Sequence, residues 1–110
     1  MNHQMKLQSQ PFTQIAEGTK TIEIRLNDEK RQQIKVGDTI TFTNTATGEL
    51  ANTEVVELLK YNTFEELFSN HPIHEFGAKT SEELGGIYKY YSGDAEQKLG
   101  VLGIRIKLSI

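Results

Sequence analysis

One stretch of the sequence carries most of the groups that could do chemistry: Lys20-Thr21-Ile22-Glu23-Ile24-Arg25-Leu26. Glu23 and Arg25 stand two apart, so on an extended chain they share a face, roughly 7 Å apart at the ~3.3 Å rise of a strand. A carboxylate there can accept from a base amino group or activate water, and a guanidinium can meet a phosphate or a base edge. The competing reading is an ordinary salt bridge on the wet side of a sheet, a common arrangement worth little energy. Lys20 has the opposite parity. It follows Gly18-Thr19, where the pleat need not yet hold, so its ammonium can reach the Glu23 face or stay in solvent as a turn lysine.

Other groups are weaker candidates. Lys30, Arg31 and Lys35 form the densest basic cluster and could touch backbone phosphates. Asp28 and Glu29 stand beside them, so a solvated, neutralised loop is the alternative. Arg105 and Lys107 make a second, sparser stripe. Tyr88, Tyr90 and Tyr91 are crowded; a base stacked on one of them is worth ~1–3 kcal/mol. Tyr91 is the candidate for that role, with at least one of the others filling core. His71-x-x-His74-Glu75 offers metal-ligand types, but Pro72 breaks the helix that would align them and the helical zinc pattern is absent. No G-x-S-x-G elbow or phosphate-cradling glycine motif is present. No metal or cofactor is expected.

The elements that must position these groups follow from periodicity. Residues 5–9 make a short first strand. Pro11 suits a first helical turn, Phe12, Ile15 and Ala16 share a face, and Gly18 stops the helix. In the strand 20–26, Ile22, Ile24 and Leu26 face a core and the polar residues face the other way. Gly37-Asp38 precedes a strand from Thr39 to Thr43, and the turn Asn44–Glu49 joins it as a hairpin to a strand near Thr53–Lys60. Thr63-Phe64-Glu65-Glu66 and Thr80-Ser81-Glu82-Glu83 are capping boxes that open short helices, the second weakened by Gly85-Gly86. His71–Gly77 reads as an irregular loop. Ser92 or Asp94 caps a last helical turn ending at Gly100. Leu102, Ile104, Ile106, Leu108 and Ile110 alternate with Gly103, Arg105, Lys107 and Ser109, a final strand with one wet face. No helix recurs between every pair of strands, so the pairing is mainly antiparallel.

Bulk properties narrow the function classes. The 110 residues imply one domain, 1–110, large enough to fold without staples. There is no cysteine, hence no disulfide framework and no thiolate chemistry. No apolar run approaches the ~20 residues of a membrane span, and the first residues lack a signal-peptide core; a cytoplasmic protein without a membrane partner is expected. The net charge of −3 gives no general attraction to phosphate, so any nucleic-acid role needs a local basic patch. Oligomeric state is not readable.

Gly18-Thr19-Lys20-Thr21-Ile22-Glu23-Ile24-Arg25, then Ile34-Lys35-Val36-Gly37-Asp38 and Ile40-Thr41-Phe42, resemble the ASCH domain family, with Pro11-Phe12 ahead of them. Tyr90-Tyr91-Ser92, Glu96, Gly100-Val101 and Gly103-Ile104 resemble that family's ending. The resemblance covers nearly the whole chain and is to the small single-domain bacterial type. It implies an α+β, PUA-like fold: a mixed, mainly antiparallel β-barrel with short peripheral helices. It further implies a cleft beside the Lys20–Arg25 strand directed at RNA or a nucleotide. Lys20, Glu23, Arg25, Lys30, Arg31 and Tyr91 are the expected binding residues. One bacterial branch of the family is an amidohydrolase on acylated cytidine that uses a Lys, a Thr and a Glu. The Lys matches Lys20, the Thr position holds Glu23, and Glu75 in the Pro72–Gly77 loop is the candidate for the third. A carboxylate does not replace a hydroxyl nucleophile, so hydrolysis here would need Glu23 or Glu75 as general base. An RNA- or nucleotide-binding domain is therefore the leading expectation, and a hydrolase on a modified nucleoside or a ribonuclease is the alternative.

Overall fold

The computed structural model describes residues 1–109; Ile110, the last expected inward residue of the final strand, lies outside them. Five strands form one sheet in the order β1-β3-β4-β5-β2. They are β1 (Asn2–Leu7), β2 (Ile22–Leu26), β3 (Thr39–Asn44), β4 (Leu50–Tyr61) and β5 (Val101–Leu108). β1 runs parallel to β3, and every other pairing is antiparallel. The fold is a mixed α+β one, a curled sheet with short helices at its periphery, as expected from the sequence.

Where alternation is strong, the strands lie where it places them. Ile40 and Phe42 are fully buried while Thr39 is exposed and Thr41 and Thr43 are half-buried. Burying a side chain such as Phe42 stabilises by ~1.5–3 kcal/mol. The β3–β4 hairpin turns through Asn44–Glu49, where Gly48 takes φ +79° and its amide donates to the Asn44 carbonyl at 2.8 Å. β1 lies earlier than residues 5–9, because α1 (Ser9–Glu17) already claims Ser9. Only Met5 and Leu7 of β1 are buried, too few to mark its start. Gly18, at φ 80°, ends α1 as expected and turns the chain into β2.

The largest difference concerns the wet faces. β2 and β5 have none of the expected extent, because the sheet is covered on both sides. The concave side holds Met5, Leu7, Phe12, Ile15, Ile40, Phe42, Leu102, Ile104 and Ile106. The other side holds Ile22, Ile24, Leu59 and Val101 against α2 (Phe64–Ser69) and the 3-10 turn Ile73–Phe76. Gly103 permits that second layer: a Cβ there would stand 2.9 Å from Leu67 Cδ1. The apolar row of β2 therefore faces the helices. Glu23 and Arg25, opposite Ile104 and Leu102, face the inside of the curl.

The helices follow their caps. Thr63 Oγ1 accepts from the Glu66 amide at 3.1 Å, and Thr80 caps α3 (Ser81–Leu84) in the same way. Gly85-Gly86 tightens the chain into a 3-10 turn, Gly85–Lys89. Ser92 caps α4 (Gly93–Leu99), and Gly100 follows it. The expected loop His71–Gly77 contains the 3-10 turn Ile73–Phe76, started after Pro72 and closed by Gly77 at φ 82°. Among the described residues, no helix is long and apolar enough to cross a membrane.

Candidate functional site

β1 and β2 are the two edges of the sheet, and the curl brings them together. Arg25 Nη2 donates to the Lys6 carbonyl at 3.1 Å across this seam. Lys20 precedes β2 and is not held by its pleat, so its ammonium reaches Glu23 Oε1 at 3.1 Å. Glu23 Oε2 accepts from Arg25 Nε at 3.1 Å and Nη2 at 2.9 Å. The Ile24 amide donates to Oε1 at 3.1 Å. Lys20, Glu23 and Arg25 thus form one row along the edge of β2, a carboxylate gripped from both sides.

The row is not a surface ion pair. Glu23 is 3% exposed and Lys20 9% exposed. Burial alone would raise the Glu23 carboxyl, but the ammonium of Lys20 and the guanidinium of Arg25 outweigh it and hold the pKa below the usual carboxylate range. Burial likewise disfavours the charged guanidinium, yet Glu23 and then the Tyr91 phenol raise its pKa. Two cations around one carboxylate leave the row with one net positive formal charge.

Each cation of the row lines its own cavity. Lys20 opens on a space of about 440 Å³ walled by Ile24, Phe76, Leu84 and Ile87, with Gln10, Glu83, Lys89 and Tyr90 at its polar margin. Arg25 opens on a space of about 370 Å³ shared with Lys6, Lys30 and Arg31. Lys30 and Arg31 therefore lie beside Arg25, while Lys35 is exposed and does not line this space. Arg31 is tied to Asp28, 3.3 Å from Nη1 to Oδ2. Tyr91 is half-buried, with one face stacked on Phe64 at a centroid distance of 5.6 Å. Glu75 is not brought to the row. Its carboxylate pairs with Arg105 Nη1, and Arg105 lies opposite Ile22 on the face away from Glu23.

The histidines have separate roles. His71 Nε2 and the Tyr61 hydroxyl are 3.1 Å apart, and His3 Nε2 and Asp38 Oδ2 are 2.8 Å apart. Among the described residues, no group of three or more His, Asp or Glu side chains gathers where it could hold a metal ion.

Sequence reasoning did not single out Lys6, Gln10 or the individual role of Tyr90, whose phenol is exposed beside Lys20 and 3.5 Å from Gln8 Oε1. Nothing local marks them. Glu96 is a second buried carboxylate. It accepts from the Phe64 amide at 2.9 Å and the Tyr88 hydroxyl at 2.7 Å, joining α4 to the start of α2. Burial and then that bond push the Tyr88 phenol up to about 12.

Acid is expected to loosen the structure through depressed carboxylates. His3, and then the Lys35 amide, hold Asp38 at about 2, and Glu23 is also held low. Groups whose folded pKa lies below the unfolded value contribute fully above the unfolded value of ~4, and the contribution is lost as pH falls through the folded one. Melting temperatures should be level from pH 7 to 5 and drop below about pH 4. A melting temperature unchanged between pH 5 and 2 would contradict this.

A curled mixed sheet with short peripheral helices is an architecture of the PUA-like superfamily. The ASCH domain family model matches residues 5–109, and the chain belongs to that family. It is similar to hypothetical protein PH0355, known from a crystal structure, at 34% identity and a TM-score of 0.87, over 99% of this chain and 100% of that one. Protein PF0455 from Pyrococcus furiosus is 35% identical with a TM-score of 0.77, over 98% of this chain and 97% of that one. ASCH from Zymomonas mobilis shares the fold at 13% identity and a TM-score of 0.72, over 96% of this chain and 66% of that one. No curated protein sequence matches significantly.

Proposed function

We propose that this chain is an RNA- or nucleotide-binding domain whose ligand lies along β2. The nucleoside sits by Lys20 and Tyr90, and negative charge is drawn to Arg25. The observation that carries this reading is the buried Glu23 carboxylate held by two cations, each lining a different cavity. Desolvated and hydrogen-bonded in this way, the cations are pre-organised, so a ligand need not order them. Tyr90 offers an exposed ring for stacking, whereas one face of Tyr91 is already covered.

Glu23 is poorly suited to general-base work. Both its oxygens are occupied and its pKa is depressed, while an effective base is poised near the working pH. Glu75 is bonded elsewhere. These two observations favour binding over hydrolysis. The test is titration of short single-stranded RNAs, nucleosides and nucleotides against wild type and Arg25→Ala, with melting curves to verify folding. Wild type should bind, with an affinity that falls as salt rises, and Arg25→Ala should bind about tenfold more weakly or worse. Equal, negligible binding by both proteins would reject the reading. Turnover of acylated cytidine or RNA, lost in Glu23→Gln, would favour the hydrolase.

A further inference from the structure

We infer that the cavity at the β1–β2 seam is a subsite for a phosphate monoester, so that the ligand is a nucleotide or an RNA end bearing a terminal phosphate. This rests on the binding function proposed above and adds the ligand's chemical class. The cavity of about 370 Å³ lies within the common size range of small-molecule sites. Lys6, Arg25, Lys30 and Arg31 line it, and among the described residues no carboxylate does.

The charge count singles this place out. The whole chain carries −3, yet four cations converge here. Their answering carboxylates are Asp28, spent on Arg31, and Glu23, which Arg25 shares with Lys20. Among the described residues, Lys6 and Lys30 make no ion pair. Arg31 Nε is buried without a hydrogen-bond partner. A concave spot lined by one sign of charge concentrates the opposite ion. A monoester fits better than an internal diester because it brings up to two charges and three acceptor oxygens to several donors at once.

The arrangement also explains the Arg25 contacts. Its Nε and Nη2 are turned to Glu23 and the Lys6 carbonyl, which fixes the guanidinium plane at the cavity wall. Among the described residues, Nε and Nη2 carry its short hydrogen bonds, and the Tyr91 phenol stands beside the same guanidinium. Rigid presentation of a planar donor is what anion recognition by arginine requires.

The experiment is calorimetric titration of the protein with the four nucleoside 5′-monophosphates, the matching nucleosides, inorganic phosphate, and one RNA octamer with and without a 5′-phosphate. Monophosphates should bind about tenfold or more tighter than nucleosides, and their affinity should rise between pH 5 and 7 as the second phosphate proton leaves at ~6. The double variant Lys6→Ala/Lys30→Ala changes two exposed side chains and should bring the monophosphate-to-nucleoside ratio near one. Should that variant unfold, single variants at each position should each lower the ratio. The octamer pair separates an RNA end from a free nucleotide as the source of the phosphate. Nucleosides or RNA bound with no phosphate preference would overturn this subsite and leave the binding function standing. A preference that survives in the double variant would overturn it as well. No binding of any probe would overturn both.

Discussion

Glu23→Ala is expected to destabilise the protein by ~3–5 kcal/mol, the usual cost of removing one partner from a buried ion pair. The reason lies in what the substitution leaves behind. Lys20 and Arg25 would face each other across an empty site with no counter-charge, and both are largely out of water. The Ile24 amide would also lose its acceptor. At about 4 °C per kcal/mol for a domain near this size, the melting temperature should fall by roughly 10–20 °C. Glu23→Gln would keep the shape and an acceptor for Ile24, and should fall between the two. A thermal melt of Glu23→Ala within about 2 °C of wild type would show the row to be solvated rather than buried.

The sequence disclosed the elements better than their faces. β3 was legible because its apolar residues alternate with threonines, and the capping boxes at Thr63 and Thr80 because side-chain oxygens at those positions meet orphan amides. β2 alternates just as regularly, yet both of its rows are covered. Ile22 and Ile24 belong to the helix layer, and Glu23 and Arg25 to the inside of the curl. A carboxylate that carries its own counter-ions two and three residues away reads like one on a wet surface. Only the cover over Glu23's own face separates the two cases, and that comes from the β1 edge closing onto β2, where the Lys6 carbonyl meets Arg25.

The site shows the same division. The glycine turn ahead of Lys20 left two readings open, a reach into the row or a turn lysine in solvent, and the 3.1 Å contact with Glu23 Oε1 is the first of them. Lys6 was not legible, because it meets Arg25 only when the two edges of the sheet close on each other. Glu75 looked available in an unstructured loop. In the folded chain its carboxylate is captured by Arg105, across the strand from the row. Tyr90 and Tyr91 differ only in which one turns toward Phe64, a packing choice with no local signature.

The second large effect separates stability from function. Replacing the whole row together, as Lys20→Met, Glu23→Leu and Arg25→Met, removes the desolvated charges and leaves apolar side chains of similar volume. Such replacements are commonly neutral or stabilising by ~1–4 kcal/mol. The unmet, buried Ile24 amide would take back ~1–3 kcal/mol, whereas the Lys6 carbonyl lies at an exposed contact and can turn to water, so stability should stay near that of wild type. A row kept only for stability would therefore be dispensable. Kept for a ligand, it is not, because the replacement removes Lys20 from one cavity and the pre-organised Arg25 from the other.

The most direct measurement is a side-by-side titration of RNA octamer and nucleoside monophosphates into wild type and this triple variant, both verified as folded. Wild type should bind, and the folded variant should bind at least ~100-fold more weakly, as expected when two charge-assisted contacts are lost. A folded triple variant that binds as tightly as wild type would contradict the assignment of β2 as the binding edge.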